Sequence, residues 1–277
     1  MSAPAVFPAA ATLLSRALWY ALDHPGPVLG LGLAGSALPA ALFLLFLREA
    51  QETLFFAGST AETMKPVALG LAAVYFLRFP SRLALARWMA AARRGRPESL
   101  WGASRFALLH LPSALFYGSL STLGWIAGAV LIVPLAAVWY AGLAFHTFAA
   151  SDVTSARDAL REVRRIPLGT LGLRLMNVTG VVVLTGFLIL WSAPQALLGL
   201  AEWLARADVS ALRAVVGSTS ALWAGTALVL ALVLAELLWS VAFGLLAGEW
   251  ETVSRGADLA RELAHLESRL ADAEVFA

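Results

Sequence analysis

Cysteine is absent from this 277-residue chain, which excludes a disulfide framework, a thiolate metal site and a cysteine nucleophile. Charge is scarce as well. Only 14% of the residues are charged and 60% are apolar, against about a quarter and about half in an ordinary soluble domain. Lysine is nearly missing: Lys65 stands alone beside nineteen arginines. Motifs that carry chemistry are missing too. There is no P-loop, no glycine-rich dinucleotide turn, no Gly-x-Ser-x-Gly elbow and no His-Glu-x-x-His, so no catalytic group, cofactor or metal is expected. The net charge of +2 is too small to point to nucleic acid and fits contact with anionic lipid instead. No short basic segment and apolar core precede a cleavage site at the start, where the polar stretch Arg16 to His24 comes before the first long apolar run. No cleavable leader is expected.

Long apolar runs fill the chain. They predict an all-α polytopic membrane bundle of six transmembrane helices, at about 28–47, 66–89, 106–122, 126–149, 171–193 and 220–246, each near the ~20 residues needed to cross a bilayer. Together they make a membrane domain over 1–248, with a cytosolic amphipathic tail over 249–277. Residues 7–22 place Leu13, Leu14, Ala17 and Leu18 at helical spacing, predicting an amphipathic helix on the membrane surface that ends at Asp23-His24-Pro25-Gly26-Pro27. The first span should stop at Arg48-Glu49, and Pro80 should kink the second. From Phe106 to Ala150 there is no Asp, Glu, Lys or Arg, so a helical hairpin is expected with its turn near Ser121 to Gly128. Residues 151–165 read as a polar helix with Ala156, Ala159, Leu160 and Val163 on one face, a capping box at Ser155 and Asp158, and Pro167 as its stop. Pro194 to Val216 alternates apolar and charged residues, predicting one or two short outer helices. The tail places Leu259, Leu263, Leu266 and Leu270 along one seam, expected to fold back on the bundle's own cytosolic helices.

Arginine placement orients the bundle. With both termini in the cytoplasm, the inner segments hold sixteen cations and the outer ones only Arg48, Lys65, Arg206 and Arg213, in accord with the positive-inside rule. The expected location is a bacterial cytoplasmic membrane.

Three local patterns carry a family resemblance. They are Leu14-Ser15-Arg16-Ala17-Leu18-Trp19-Tyr20 before the first span, an apolar hairpin reaching Pro134 and followed by Trp139-Tyr140, and Ala159-Leu160-Arg161-Glu162-Val163 leading into span five. Together they resemble six-span bacterial membrane proteins grouped with the membrane domain of glycerophosphodiester phosphodiesterases. Two positions depart from that pattern, Leu135 where Gly is common and Val163 where Ser is common. The resemblance implies the architecture alone, since phosphodiesterase activity resides in a separate domain for which the chain has no room.

Polar residues inside apolar spans are the candidate functional residues, because a charge near the bilayer centre costs about 2.5–3.5 kcal/mol or more unless it is paired or hydrated. Arg78 and Glu236 both come out near mid-depth and are expected to face the interior and pair. Arg82, one turn on, is an alternative partner. The pair is either a structural ion pair or the lining of a substrate or proton path. His110, His146 and Asn177 are expected near one cytoplasmic-side layer. Arg93, Arg94, Arg96, Arg157, Arg161, Arg164 and Arg165 are expected to form a basic surface toward anionic headgroups or a membrane or cytosolic protein partner. Two functions remain open: a non-enzymatic membrane scaffold or accessory subunit, or a small permease or lipid-handling protein using the mid-membrane Arg/Glu layer.

Overall fold

The computed structural model describes residues 9–55, 65, 69–70, 76–96, 98–131, 136–150, 156–164, 166, 171–206, 208–217 and 221–275, and every regular element among them is helical. Helix α1 (Ala10–Asp23) buries Ala10, Leu13, Leu14 and Ala17, the stripe its periodicity sets out, and leaves Leu18, Trp19 and Leu22 exposed. Helix α2 (Pro25–Phe55) opens with prolines at its first and third positions, where a missing N–H costs no intrahelical bond. It runs beyond the expected stop at Arg48. Its apolar stretch ends at Phe46, and the charged remainder extends the same helix.

Helix α3 (Arg78–Arg93) begins after a turn at Phe76 and Leu77, with Pro80 as its third residue, so the expected second span is interrupted by a turn just before that proline. Most of the preceding stretch, including Pro66, lies outside the described residues. At the other end the Gly95 N–H donates to the Ala92 carbonyl and the Arg96 N–H to the Ala91 carbonyl, with Gly95 at φ +67°. This paired closure needs a left-handed residue and therefore favours glycine.

Helices α4 (Leu100–Leu109) and α5 (Leu111–Leu131) meet at an 81° bend at His110. The expected turn at Ser121 to Gly128 is continuous helix. The chain reverses instead between Leu131 and α6 (Ala136–Ala150), at residues outside the described set that include Pro134. Helix α7 (Ala156–Val163) buries Ala159 and Val163 as its periodicity requires, whereas Ser155 and Pro167 lie outside the described residues.

Helix α8 (Leu171–Ala205) overturns the expected end of span five, since it passes straight through Pro194. Proline there removes one ladder donor. The carbonyl of neighbouring Trp191 accepts from the Gln195 side chain at 3.0 Å and from the Trp223 indole at 3.2 Å. Only α9 (Ser210–Val216) remains of the expected short outer helices. Helix α10 (Ala221–Val275) is unbroken over 55 residues, so the tail continues the last span as one helix, with no turn between them.

Among the described residues, three helices carry stretches long and apolar enough to cross a membrane, Pro25–Phe46, Asn177–Ala205 and Leu222–Val253, or four if the bent α4–α5 pair counts as one. Side-chain register gives their directions. In α3 and α10, Arg78 meets Glu236, Met89 lies over Gly244 and Arg93 over Gly248, so these two run parallel. Helix α6 runs with them, Phe145 meeting Arg82 and the Ala149 carbonyl meeting Arg87. Helix α2 runs opposite to α3, since its Gly32 faces Leu85 and its Gly35 faces Arg78. Helix α8 runs opposite to α10, pairing Thr179 with Trp239 and Trp191 with Trp223. Tyr117 against Phe145, with His110 against Phe148, turns α5 opposite to α6. Phe79, Leu83, Met89, Tyr117, Phe148 and Leu246 fill the shared core. Helix α1 packs at the end where α10 leaves the bundle, through an Arg16–Glu249 ion pair.

Candidate functional site

Glu236 lies 14 residues after Leu222 and 17 before Val253 (236 − 222 and 253 − 236), at the middle of the apolar stretch of α10. Helix α3 begins beside it. This start puts Arg78 and Arg82 one turn apart on the face toward α10. Arg78 Nη2 is 3.2 Å from Glu236 Oε1, and Arg82 Nη1 is 3.3 Å from the same oxygen. The three side chains are 20%, 14% and 21% exposed, so one carboxylate and two guanidinium groups share a half-closed site. Arg82 Nε also donates to Ser240 Oγ at 3.3 Å, and that hydroxyl donates to the Glu236 carbonyl at 3.0 Å. Aromatic faces complete the surround, with Phe79 under Arg78 at 5.7 Å and Phe145 under Arg82 at 5.9 Å.

Two cations against one anion leave the cluster formally at +1. At a separation of about 4 Å and an effective dielectric of ~20, each attraction is worth roughly 4 kcal/mol before desolvation is subtracted. The arrangement can therefore tie α3 to α10 through one carboxylate. It can also present positive charge to a transiting anion. It holds no nucleophile–base pair of the kind that acyl or phosphoryl transfer requires.

The three residues expected near one cytoplasmic-side layer, His110, His146 and Asn177, have different surroundings. His110 turns Nδ1 to the Phe106 carbonyl at 2.9 Å and stacks on that ring, and Asn177 is exposed. His146 instead joins the ion cluster's neighbourhood, fully packed and with Cε1 3.0 Å from the Cβ position of Gly244. No group of three His, Asp or Glu side chains among the described residues could hold a metal.

Ser240 was not a candidate, although a signal for it existed. Glu236, Ser240, Gly244, Gly248 and Thr252 recur every fourth residue and so form one small-or-polar stripe on α10. Arg87 was missed for the opposite reason. It bonds Glu98 at 2.9 Å, the Ala149 carbonyl at 3.1 Å and the Phe106 face at 4.6 Å, and nothing local in the sequence marks those partners.

The basic surface divides into inward and outward parts. Arg93 turns inward to the Gly244 carbonyl, and Arg94 donates to the Ala150 carbonyl while pairing with Glu251 at 3.2 Å. Arg87 and Arg94 thus serve the last carbonyls of α6, where a helix end favours positive charge. Burial lowers the pKa of the Arg93 guanidinium, with the nearby Glu251 carboxylate opposing it. Arg96, Arg157, Arg161 and Arg164 are exposed, Arg161 lying 3.4 Å from Asp158. Arg165 lies outside the described residues. Between α3 and α10, Arg93, Arg94 and Arg96 border a cleft of about 800 Å³.

The chain matches no family model, no curated protein and no solved structure against which it was compared.

Proposed function

We propose that this chain is a non-enzymatic integral membrane scaffold or accessory subunit of a bacterial inner membrane, presenting the end of α10 to a partner. The observation that carries the reading is the unbroken α10, which continues 22 residues past Val253 to Val275 (275 − 253), about 33 Å at 1.5 Å per residue. A rigid arm that rises from the last apolar stretch with a leucine seam is suited to docking in a way a flexible tail is not.

Membrane insertion is supported by α8. Its Val181, Leu184, Leu188 and Ile189 are exposed, together with Leu197, Leu200, Trp203 and Leu204 farther along. A continuous apolar surface of this length is one that water does not tolerate. Six crossings are supported by direction: α3, α6 and α10 run one way and α2, α5 and α8 the other, which is the alternation six consecutive crossings require. The Arg16–Glu249 contact puts α1 and the start of the arm at one end, as an even number of crossings demands. That end also carries most of the arginines, which makes it the cytoplasmic one. An architecture of the kind implied by the glycerophosphodiesterase membrane-domain resemblance belongs to this reading, without its catalysis.

Co-purification in mild detergent tests it. A membrane or cytosolic protein retained by the full chain and lost on truncation after Val253 is the expected result, whereas a lone monomer under every mild condition contradicts it. The second reading, a small permease or lipid-handling protein, draws on the excess positive charge at Arg78, Arg82 and Glu236. Anion flux into vesicles that is abolished by Arg82→Gln would favour it over the scaffold.

A further inference from the structure

The paired closure of α3 at Gly95 places the run Arg93 to Arg96 beside α10 near the point where the apolar stretch of that helix ends. Gly248, Thr252 and Gly256 form the opposite wall, straddling Val253, so the cleft of about 800 Å³ lies at the depth of lipid headgroups in the proposed bundle. Gly248 is needed as its floor. A Cβ there would come within 2.8 Å of Arg93 Cδ and 2.9 Å of its Nε, so only glycine lets that side chain lie flat. Arg93 Nη1 is committed to the Gly244 carbonyl and its Nη2 is buried, so Arg93 brings its charge to the cleft and not a free donor. Arg96 adds an exposed guanidinium on the rim, and Glu251 is already drawn to Arg94 at 3.2 Å. Three cations against one paired carboxylate leave the cleft formally at +2.

We propose that this cleft binds a phosphate group, carried by an anionic phospholipid headgroup or by a soluble phosphate, with the exposed Arg96 guanidinium as its donor and the charges of Arg93 and Arg94 drawing it in. Phosphate suits the geometry because guanidinium N–H groups match its oxygens and a doubly positive site matches its charge. The inference goes beyond the scaffold reading and stands whether or not a partner docks on the arm.

The test uses the full chain in nanodiscs. Native mass spectrometry on phosphatidylcholine discs doped with phosphatidylglycerol reads the lipid source, and calorimetric titration of inorganic phosphate into pure phosphatidylcholine discs reads the soluble one. Gly256→Glu adds a carboxylate where a new Cβ meets nothing within 4 Å, and Arg96→Gln removes the exposed donor. Each is expected to weaken retention about tenfold, the equivalent of about 1.4 kcal/mol, with the circular dichroism of the helices unchanged. Arg164→Gln, an exposed arginine outside the cleft, is the control and should leave binding intact. Phosphate binding that fails in Gly256→Glu, without retention of phosphatidylglycerol, assigns the site to the soluble source. Two results overturn the proposal: equal retention by wild type, Gly256→Glu and Arg96→Gln with no phosphate heat, or an equal loss in Arg164→Gln.

Discussion

Glu236 is approached by two guanidinium groups within 3.3 Å, and that excess makes it the residue on which the middle of the bundle depends. Glu236→Gln leaves Arg78 and Arg82 facing each other without an anion, so folded protein in detergent should lose about 3 kcal/mol of stability, toward the low end for a broken buried pair because the site is partly open. Thermal denaturation followed by circular dichroism checks this. Reversal checks the contact itself: Arg78→Glu or Glu236→Arg alone should cut the folded yield, and the double exchange should restore part of it. No recovery in the double exchange would count against the pairing. Arg78 and Glu236 were legible in the sequence because a charge inside an apolar run stands out and its depth follows from counting residues at a fixed rise. The neighbours of His146 were not legible because they are set by how α6 packs between α3 and α10, which no local pattern encodes.

Helices α2 and α3 touch so closely that the Ser81 hydroxyl donates to the Leu31 carbonyl and accepts from the Gly35 N–H, the two ends of one α2 ladder bond. A Cβ at Gly35 would lie 2.5 Å from Ser81 Cβ and 2.7 Å from Arg78 Cα. Backbone cannot swing aside as a side chain can, so Gly35→Leu should destabilise the bundle by about 1–3 kcal/mol or more. Loss of thermal stability in detergent reads it, and a neutral result would contradict this approach of the two helices. In α10, Ala264→Pro should break the arm at a cost of about 3 kcal/mol to its helix while the bundle melts as before. Helix type was readable throughout from periodicity, but boundaries were not. The stretch from Phe106 to Ala150 contains no charged residue to mark its turn, and Pro194 reads as a stop because proline removes a ladder donor, whereas the helix continues through it.

Across the whole molecule, the proposed six-crossing arrangement rests on two independent features. Arginines outside the apolar runs concentrate on one side in the sequence, and side-chain register alternates the direction of α2, α3, α5, α6, α8 and α10. The first was legible in sequence because insertion reads charge in loops, and the second became visible only with the contacts. The central claim is that these helices cross a membrane in alternation and leave Arg164 and Val253 on the side opposite Lys65 and Arg213. The chain's lack of cysteine makes a direct measurement clean: single cysteines at those four positions, probed in intact cells with a membrane-impermeant maleimide. Labelling of Lys65→Cys and Arg213→Cys in intact cells, with Arg164→Cys and Val253→Cys labelled only after permeabilisation, is the expected result. Equal labelling of all four in intact cells, or Lys65→Cys and Arg164→Cys reacting from the same side, would contradict the account.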